Sequence, residues 1–185
     1  MAEQHPIDSL RQTNRFITDH NAEGLAIFNK HIPETVPAQV IPTGDTMYLE
    51  YATNEFPADL SKDLATYESY LVNGPGFTIP CGTVLSMIDL KPSSTSPLHR
   101  TRSLDYAVVI EGAVELELDS GEVRTLQRGD VGIQRGTKHL WRNASKTDWA
   151  RVLFVLQDSK PVEVAGNILE EDYGFGTGDV VESSS

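Results

Sequence analysis

The chain has 185 residues, with 15 Lys plus Arg against 27 Asp plus Glu and a formal charge of −12. Its 39% hydrophobic and 23% charged residues supply enough apolar material for one buried core and exclude a wholly disordered chain. The acidic balance, with no run of Lys or Arg, repels phosphate backbones and anionic lipid heads, so neither nucleic acid nor a membrane surface is an expected partner.

In chain order, Arg15 to Thr18 and Ala26 to Phe28 flank His20-Asn21-Ala22-Glu23-Gly24 and read as a hairpin with a loop. Between Ala58 and Leu71, the residues Leu60, Leu64, Tyr67 and Leu71 recur at helical spacing, and Asn73-Gly74-Pro75 is a stop signal. This predicts one short helix, acting either as a buttress or as a lid over a pocket. Gly74 to Gly82 is loop-like. From Thr83 onward, short alternating runs are broken by Gly, Asp, Ser or Pro, the pattern of successive strands. In Ala113 to Asp119, for instance, Val114, Leu116 and Leu118 fall on one face and Glu115, Glu117 and Asp119 on the other. Asp119-Ser120-Gly121-Glu122 turns the chain, Val123 to Leu126 returns, and Arg128-Gly129-Asp130 turns it again. The nearly unbroken apolar run Arg151 to Leu156 belongs in the middle of a sheet. Glu170 to Ser185 combines acids, glycines and serines and is expected to fray; Gly174, Gly176 and Gly178 have no helix to follow and do not form a phosphate loop. The reading is all-β, with an N-terminal extension over residues 1–82, a barrel over 83–157 and a C-terminal extension over 158–185.

Cys81 is the only cysteine, which rules out an internal disulfide and a zinc site built from several thiolates and fits a reducing compartment. The start, MAEQHPIDSLRQ, lacks the basic and apolar regions of a secretory signal, and no run approaches about 18 apolar residues. A cytoplasmic location is expected. The sequon-like Asn143-Ala144-Ser145 would matter only after secretion.

Two histidines, His99 and His139, stand in the strand-rich half; His5, His20 and His31 lie in the poorly patterned beginning and receive no role. His99 sits in SPLHRTRSLDYAVVIEG, Ser96 to Gly112, and His139 in RGDVGIQRGTKHLWRN, Arg128 to Asn143. These strings resemble the two motifs of the cupin superfamily. His99 matches the first histidine, Asp105 stands in the place of the family's Glu, and Gly112 follows; Gly129, His139 and Asn143 match the second motif. Thr101 occupies the second histidine position, Asp105 is one methylene shorter than Glu, a reach deficit of about 1.5 Å, and Arg135 stands where proline is frequent.

The resemblance covers roughly Thr83 to Gln157 and implies a single-domain, cupin-type antiparallel β-barrel, or jelly roll. It also implies a divalent metal, Fe, Mn, Ni or Zn, held by His99, Asp105 and His139. A metal-free pocket with His99 and His139 as acid, base or hydrogen bonders is the alternative, and purely structural histidines a third. Small cupin barrels often pair, so the resemblance carries the expectation of a homodimer.

Further candidates surround the motifs. Tyr106 is a candidate proton carrier beside the two histidines. Arg102 and Arg135 could clamp a substrate carboxylate, while Arg100 reads rather as a surface residue. Gln134 and Thr101 are candidate substrate contacts, and Trp141 shares a strand face with Thr137 and His139 as pocket wall or as core. The leading function is an enzyme acting on a small oxygenated organic acid or polyketide-like metabolite by metal-assisted decarboxylation, dehydration or isomerisation. An Fe(II)-dependent dioxygenase and a non-catalytic binding barrel are the alternatives.

Overall fold

The computed structural model describes residues 10–174; His5 and the tail with Gly176, Gly178 and the terminal serines lie outside the described residues. The expected hairpin is present, as β1 (Thr18–His20) and β2 (Ala26–Phe28). Its first strand starts later than the apolar pattern suggests because Arg15 is drawn inward. The Arg15 guanidinium donates to the Tyr67 hydroxyl and to Pro33 O. Two further strands precede the helix, β3 (Ala38–Val40) and β4 (Thr46–Thr53).

The one helix among the described residues, α1 (Asp63–Asn73), begins after the expected Ala58 because Asp59 ties the preceding turn, its side chain accepting from Ser61 N and Ser61 Oγ. Tyr67 is fully buried and donates its hydroxyl to Leu49 O of β4 at 2.7 Å, while Tyr51 of the same strand donates to Asp63 at 2.6 Å. The helix thus lies against β4 as a buttress.

The remaining strands are β5 (Thr83–Leu90), β6 (Ser103–Glu111), β7 (Ala113–Leu118), β8 (Val123–Gln127), β9 (Val131–Arg135), β10 (His139–Asn143), β11 (Ala150–Asp158), β12 (Val162–Val164) and β13 (Asn167–Leu169). With β3 and β4, strands β5 to β11 build an antiparallel jelly roll of a six-stranded sheet, ordered β3-β4-β5-β11-β6-β9, facing a three-stranded sheet ordered β10-β7-β8, while β12 and β13 form a separate hairpin. As its apolar run requires, β11 lies between β5 and β6. Between the sheets pack Leu90, Ala107, Val109, Val114, Leu126, Trp141, Val152 and Phe154. The chain crosses from one sheet to the other at Gly112, with φ of 73°, where a Cβ would meet Ala150 and Trp149 O at 3.1 Å, so only glycine fits. No described helix is long and apolar enough to cross a membrane.

On the outer face of the six-stranded sheet, Asp89 and Arg151 are cross-strand partners and form a buried two-pronged ion pair, Nε to Oδ1 at 2.5 Å and Nη2 to Oδ2 at 2.6 Å. Tyr48 packs beneath the guanidinium.

Asn143 closes the second motif by structural rather than chemical means. Its amide nitrogen donates to Leu90 O, Lys91 O and Asp148 O, and its oxygen accepts from Ser145 N, so one buried side chain joins β10 to the ends of β5 and the β10–β11 loop. That buried amide leaves no acceptor for a glycan. Asn143→Ala strips these partners and is expected to lower unfolding free energy by about 3 kcal/mol, read by urea denaturation; a loss within 0.5 kcal/mol would mean that the surrounding carbonyls are satisfied otherwise.

Candidate functional site

Residues 94–99 run antiparallel to β10 and extend the small sheet. Ser96 N donates to Trp141 O, and His99 and His139 exchange both backbone hydrogen bonds, at 2.8 and 2.9 Å. That bridge sets the two imidazoles side by side, with ring centroids 4.4 Å apart. His99 Nδ1 lies 2.9 Å from Pro97 O, and His139 Nδ1 lies 2.8 Å from Thr137 O. A carbonyl oxygen only accepts, so each Nδ1 carries the proton and donates, which leaves both Nε2 atoms with free lone pairs.

Both rings line a cavity of about 130 Å³ between the sheets, together with Thr101, Asp105, Trp141 and Phe77. Burial pulls the His99 pKa down, and burial together with the neighbouring ring pushes His139 down to about 4. Burial acts in the opposite sense on Asp105, raising its carboxyl to about 6 against the opposing hydrogen bonds of Ser103 and Thr101. Ser103 Oγ donates to Thr101 Oγ1 at 2.8 Å, and Thr101 Oγ1 lies 3.5 Å from Asp105 Oδ2, within reach of a weak donation. Thr101, in the motif's second histidine position, therefore steadies the carboxylate. The other oxygen, Oδ1, is buried without a partner, as is the Nε2 of Gln134, the cross-strand neighbour of Asp105.

The three residues expected to hold a metal share this cavity, yet among the described residues no group of three or more His, Cys, Asp or Glu side chains is placed to hold an ion. The chemistry of Asp105 accounts for this: it lacks one methylene of Glu, and its Oδ2 is turned toward Thr101. The donor set does not fit a three-ligand metal site.

Three other candidates lie away from the cavity, two of them by strand parity. Asp105 and Gln134 point inward, so Tyr106 and Arg135 point outward; Tyr106 lies on the outer face beside Val155 and Ile133, 37% exposed. Arg102 is likewise exposed, its Nε 3.7 Å from Asp158. None of the three reaches the cavity, whose lining contains no Arg or Lys among the described residues. Arg100 turns toward Asp119 at 3.9 Å. Gln134 is buried and accepts from Thr137 Oγ1 at 2.6 Å. Trp141 is both wall and core, edge-on to His139 and to Phe154.

Two residues with no signal in the sequence complete the cavity. A strap over residues 170–174 pairs with Arg100 through two backbone hydrogen bonds, and Lys138 grips Asp172 at 2.5 Å. Gly174, with φ of 68°, lies so close to the 97–98 backbone that a Cβ would sit 2.6 Å from Leu98 O. The strap thereby brings Tyr173 to the cavity, where its ring stacks on Phe77 at 5.7 Å.

Comparison with known proteins places the chain in a family. The cupin domain family matches residues 86–156. Phomopsin biosynthesis cluster protein C' of Diaporthe leptostromiformis is 51% identical over 172 residues, covering 92% of this chain and 91% of its own length. Oryzines biosynthesis cluster protein J of Aspergillus oryzae is 44% identical over 171 residues, 91% of this chain and 96% of its own. A cupin-domain-containing oxidoreductase of Neurospora crassa, srdB, is 37% identical over 172 residues, 93% of this chain and 87% of its own. With two motif histidines joined across a jelly roll, and with relatives matched along nearly their full length, this chain belongs to the cupin family.

Proposed function

We propose that the chain is an enzyme of specialised-metabolite biosynthesis that moves a proton on a small oxygenated molecule, a non-redox isomerisation. The names of the phomopsin and oryzine cluster relatives support the pathway class. The reaction class rests on one observation: both imidazoles spend their Nδ1 proton on a backbone carbonyl and present Nε2 lone pairs to a cavity that also holds the Asp105 carboxyl.

At neutral pH those three groups only accept. A substrate that presents hydroxyl or enol hydrogens is therefore recognised, whereas a carboxylate meets no cation in the lining. Asp105, its carboxyl raised to about 6 by burial, is ionised at neutral pH and serves as the general base. The Asp105 carboxylate takes the proton from substrate, the imidazoles accept hydrogen bonds from the adjacent hydroxyl, and the proton returns from Asp105 to a neighbouring substrate atom. No electron is gained or lost.

The test is exchange of hydroxy-ketone protons for deuterium in D2O, followed by NMR, with oxygen uptake recorded in parallel. Exchange that is lost in His139→Gln and proceeds without oxygen uptake is expected. A second reading, Fe(II)-dependent oxygenation, is supported by the oxidoreductase names of several relatives. Oxygen consumption on adding Fe(II), with no deuterium exchange, would replace the first reading by this one.

A further inference from the structure

We infer that the substrate is an elongated, uncharged molecule whose oxygenated head occupies the histidine cavity while an apolar tail of several carbons lies in a second, larger hollow outside it. The assignment of head and tail rests on the acid–base reading above; the two-part shape rests on the hollows themselves.

The inner cavity is small. At about 130 Å³ it is close to the roughly 150 Å³ that encloses a benzene-sized molecule, and below the range of about 300 Å³ upward for whole ligands. The outer hollow has about 460 Å³ and lies between residues 37–43 and residues 70–77. Ile41, Thr43, Met47, Gly76 and Phe77 line both, so the two hollows abut along a shared wall. Phe77 is the part of that wall stacked on Tyr173.

The outer lining is unlike the rest of the surface. Charged side chains make up 23% of the chain, yet none of the 17 residues around this hollow is charged. Val40 and Val72 stand 74% and 82% exposed there, facing solvent in a protein of net charge −12. Exposed valines in an uncharged hollow that adjoins a reactive cavity are what a hydrocarbon tail requires. The inner lining disfavours a formal negative charge on the head, since Asp45 and Asp105 are present and no Arg or Lys lines it among the described residues.

Straight-chain primary alcohols from propanol to decanol are the probes, because each offers one hydroxyl hydrogen and differs only in tail length. Affinity, measured by calorimetry, is expected to rise about two- to fourfold per methylene once the inner cavity is filled. In V40D/V72D, whose exposed positions tolerate the change, propanol should bind as before and the length dependence should flatten. In His139→Gln all alcohols should weaken by a similar factor with the length dependence kept.

A flat dependence in the unaltered protein, or a steep one left unchanged in V40D/V72D, would overturn the tail site. A flat dependence accompanied by concentration-dependent self-association that V40D/V72D abolishes would overturn it in favour of a second copy covering the hollow. A steep dependence lost in V40D/V72D but indifferent to His139→Gln would support the tail site while defeating the head assignment, which keeps the two readings separable.

Discussion

Asp105→Asn is expected to reduce deuterium exchange about 10²- to 10⁴-fold and, in the same molecule, to raise thermal stability above pH 6. The two effects share one cause. Burial lifts the Asp105 carboxyl from an ordinary 3.8 to about 6, so the folded protein holds that proton more tightly than the unfolded chain. Below the unfolded value both states are protonated and the favourable contribution is complete. It disappears as pH rises through the folded value, leaving a buried charge that costs on the order of 3 kcal/mol. Asn cannot ionise and escapes that cost while keeping an oxygen for Thr101.

The melting temperature of Asp105→Asn should therefore exceed that of the parent at pH 8 and equal it near pH 3.5. An equal gain at both pH values would mean that packing, not ionisation, is responsible. Exchange by the parent should rise with pH up to about 6 and then level. His139 works in the opposite direction: its folded value near 4 lies below the ordinary 6.5, so its contribution is present above 6.5 and is lost as pH falls toward 4. His139→Gln should flatten that acid-side loss.

The largest purely structural effect is expected at Arg151. Replacing it with Met leaves Asp89, 1% exposed, without its two-pronged partner on the sheet's outer face. Breaking such a pair from one side costs about 3–5 kcal/mol. The double change Asp89→Leu with Arg151→Met should recover part of that loss, because Asp89 no longer leaves a buried charge unpaired, while the buried Glu50 still loses the attraction of Arg151 and keeps that of Arg15. Urea denaturation of the three variants checks both statements; a double variant no more stable than the single one would show that the pair has a role in register beyond its charge balance. Val152 and Phe154, next along β11, face the core and should hold the cavity unchanged wherever the variants are folded.

The second half of the chain was legible because its strands keep a strict two-residue period. Val114, Leu116 and Leu118 alternate with Glu115 and Glu117, and those glutamates meet Arg142 of β10 at 2.7 and 2.9 Å. The strand β4 was not legible, since a bulge between Leu49 and Tyr51 buries Tyr48, Leu49 and Glu50 in succession and erases the alternation. At the site, the motif spacing brought His99 and His139 into view. Tyr106 and Arg135 were poor candidates for a reason the sequence itself holds, because they adjoin Asp105 and Gln134 and must face the other way. Phe77 and Tyr173 carry no local pattern at all. They reach the cavity through a loop and a strap whose courses depend on distant partners, Arg100 and Lys138 among them.

Each of the paired rings hangs on a main-chain bridge that makes no use of the side chain it carries. Exchanging the side chain at position 99 or 139 therefore leaves the hydrogen bonds that aim it intact. A frame of this kind is indifferent to its cargo: new reactive groups can be tried there one at a time, each delivered to the same spot in the hollow, without first redesigning the scaffold around them.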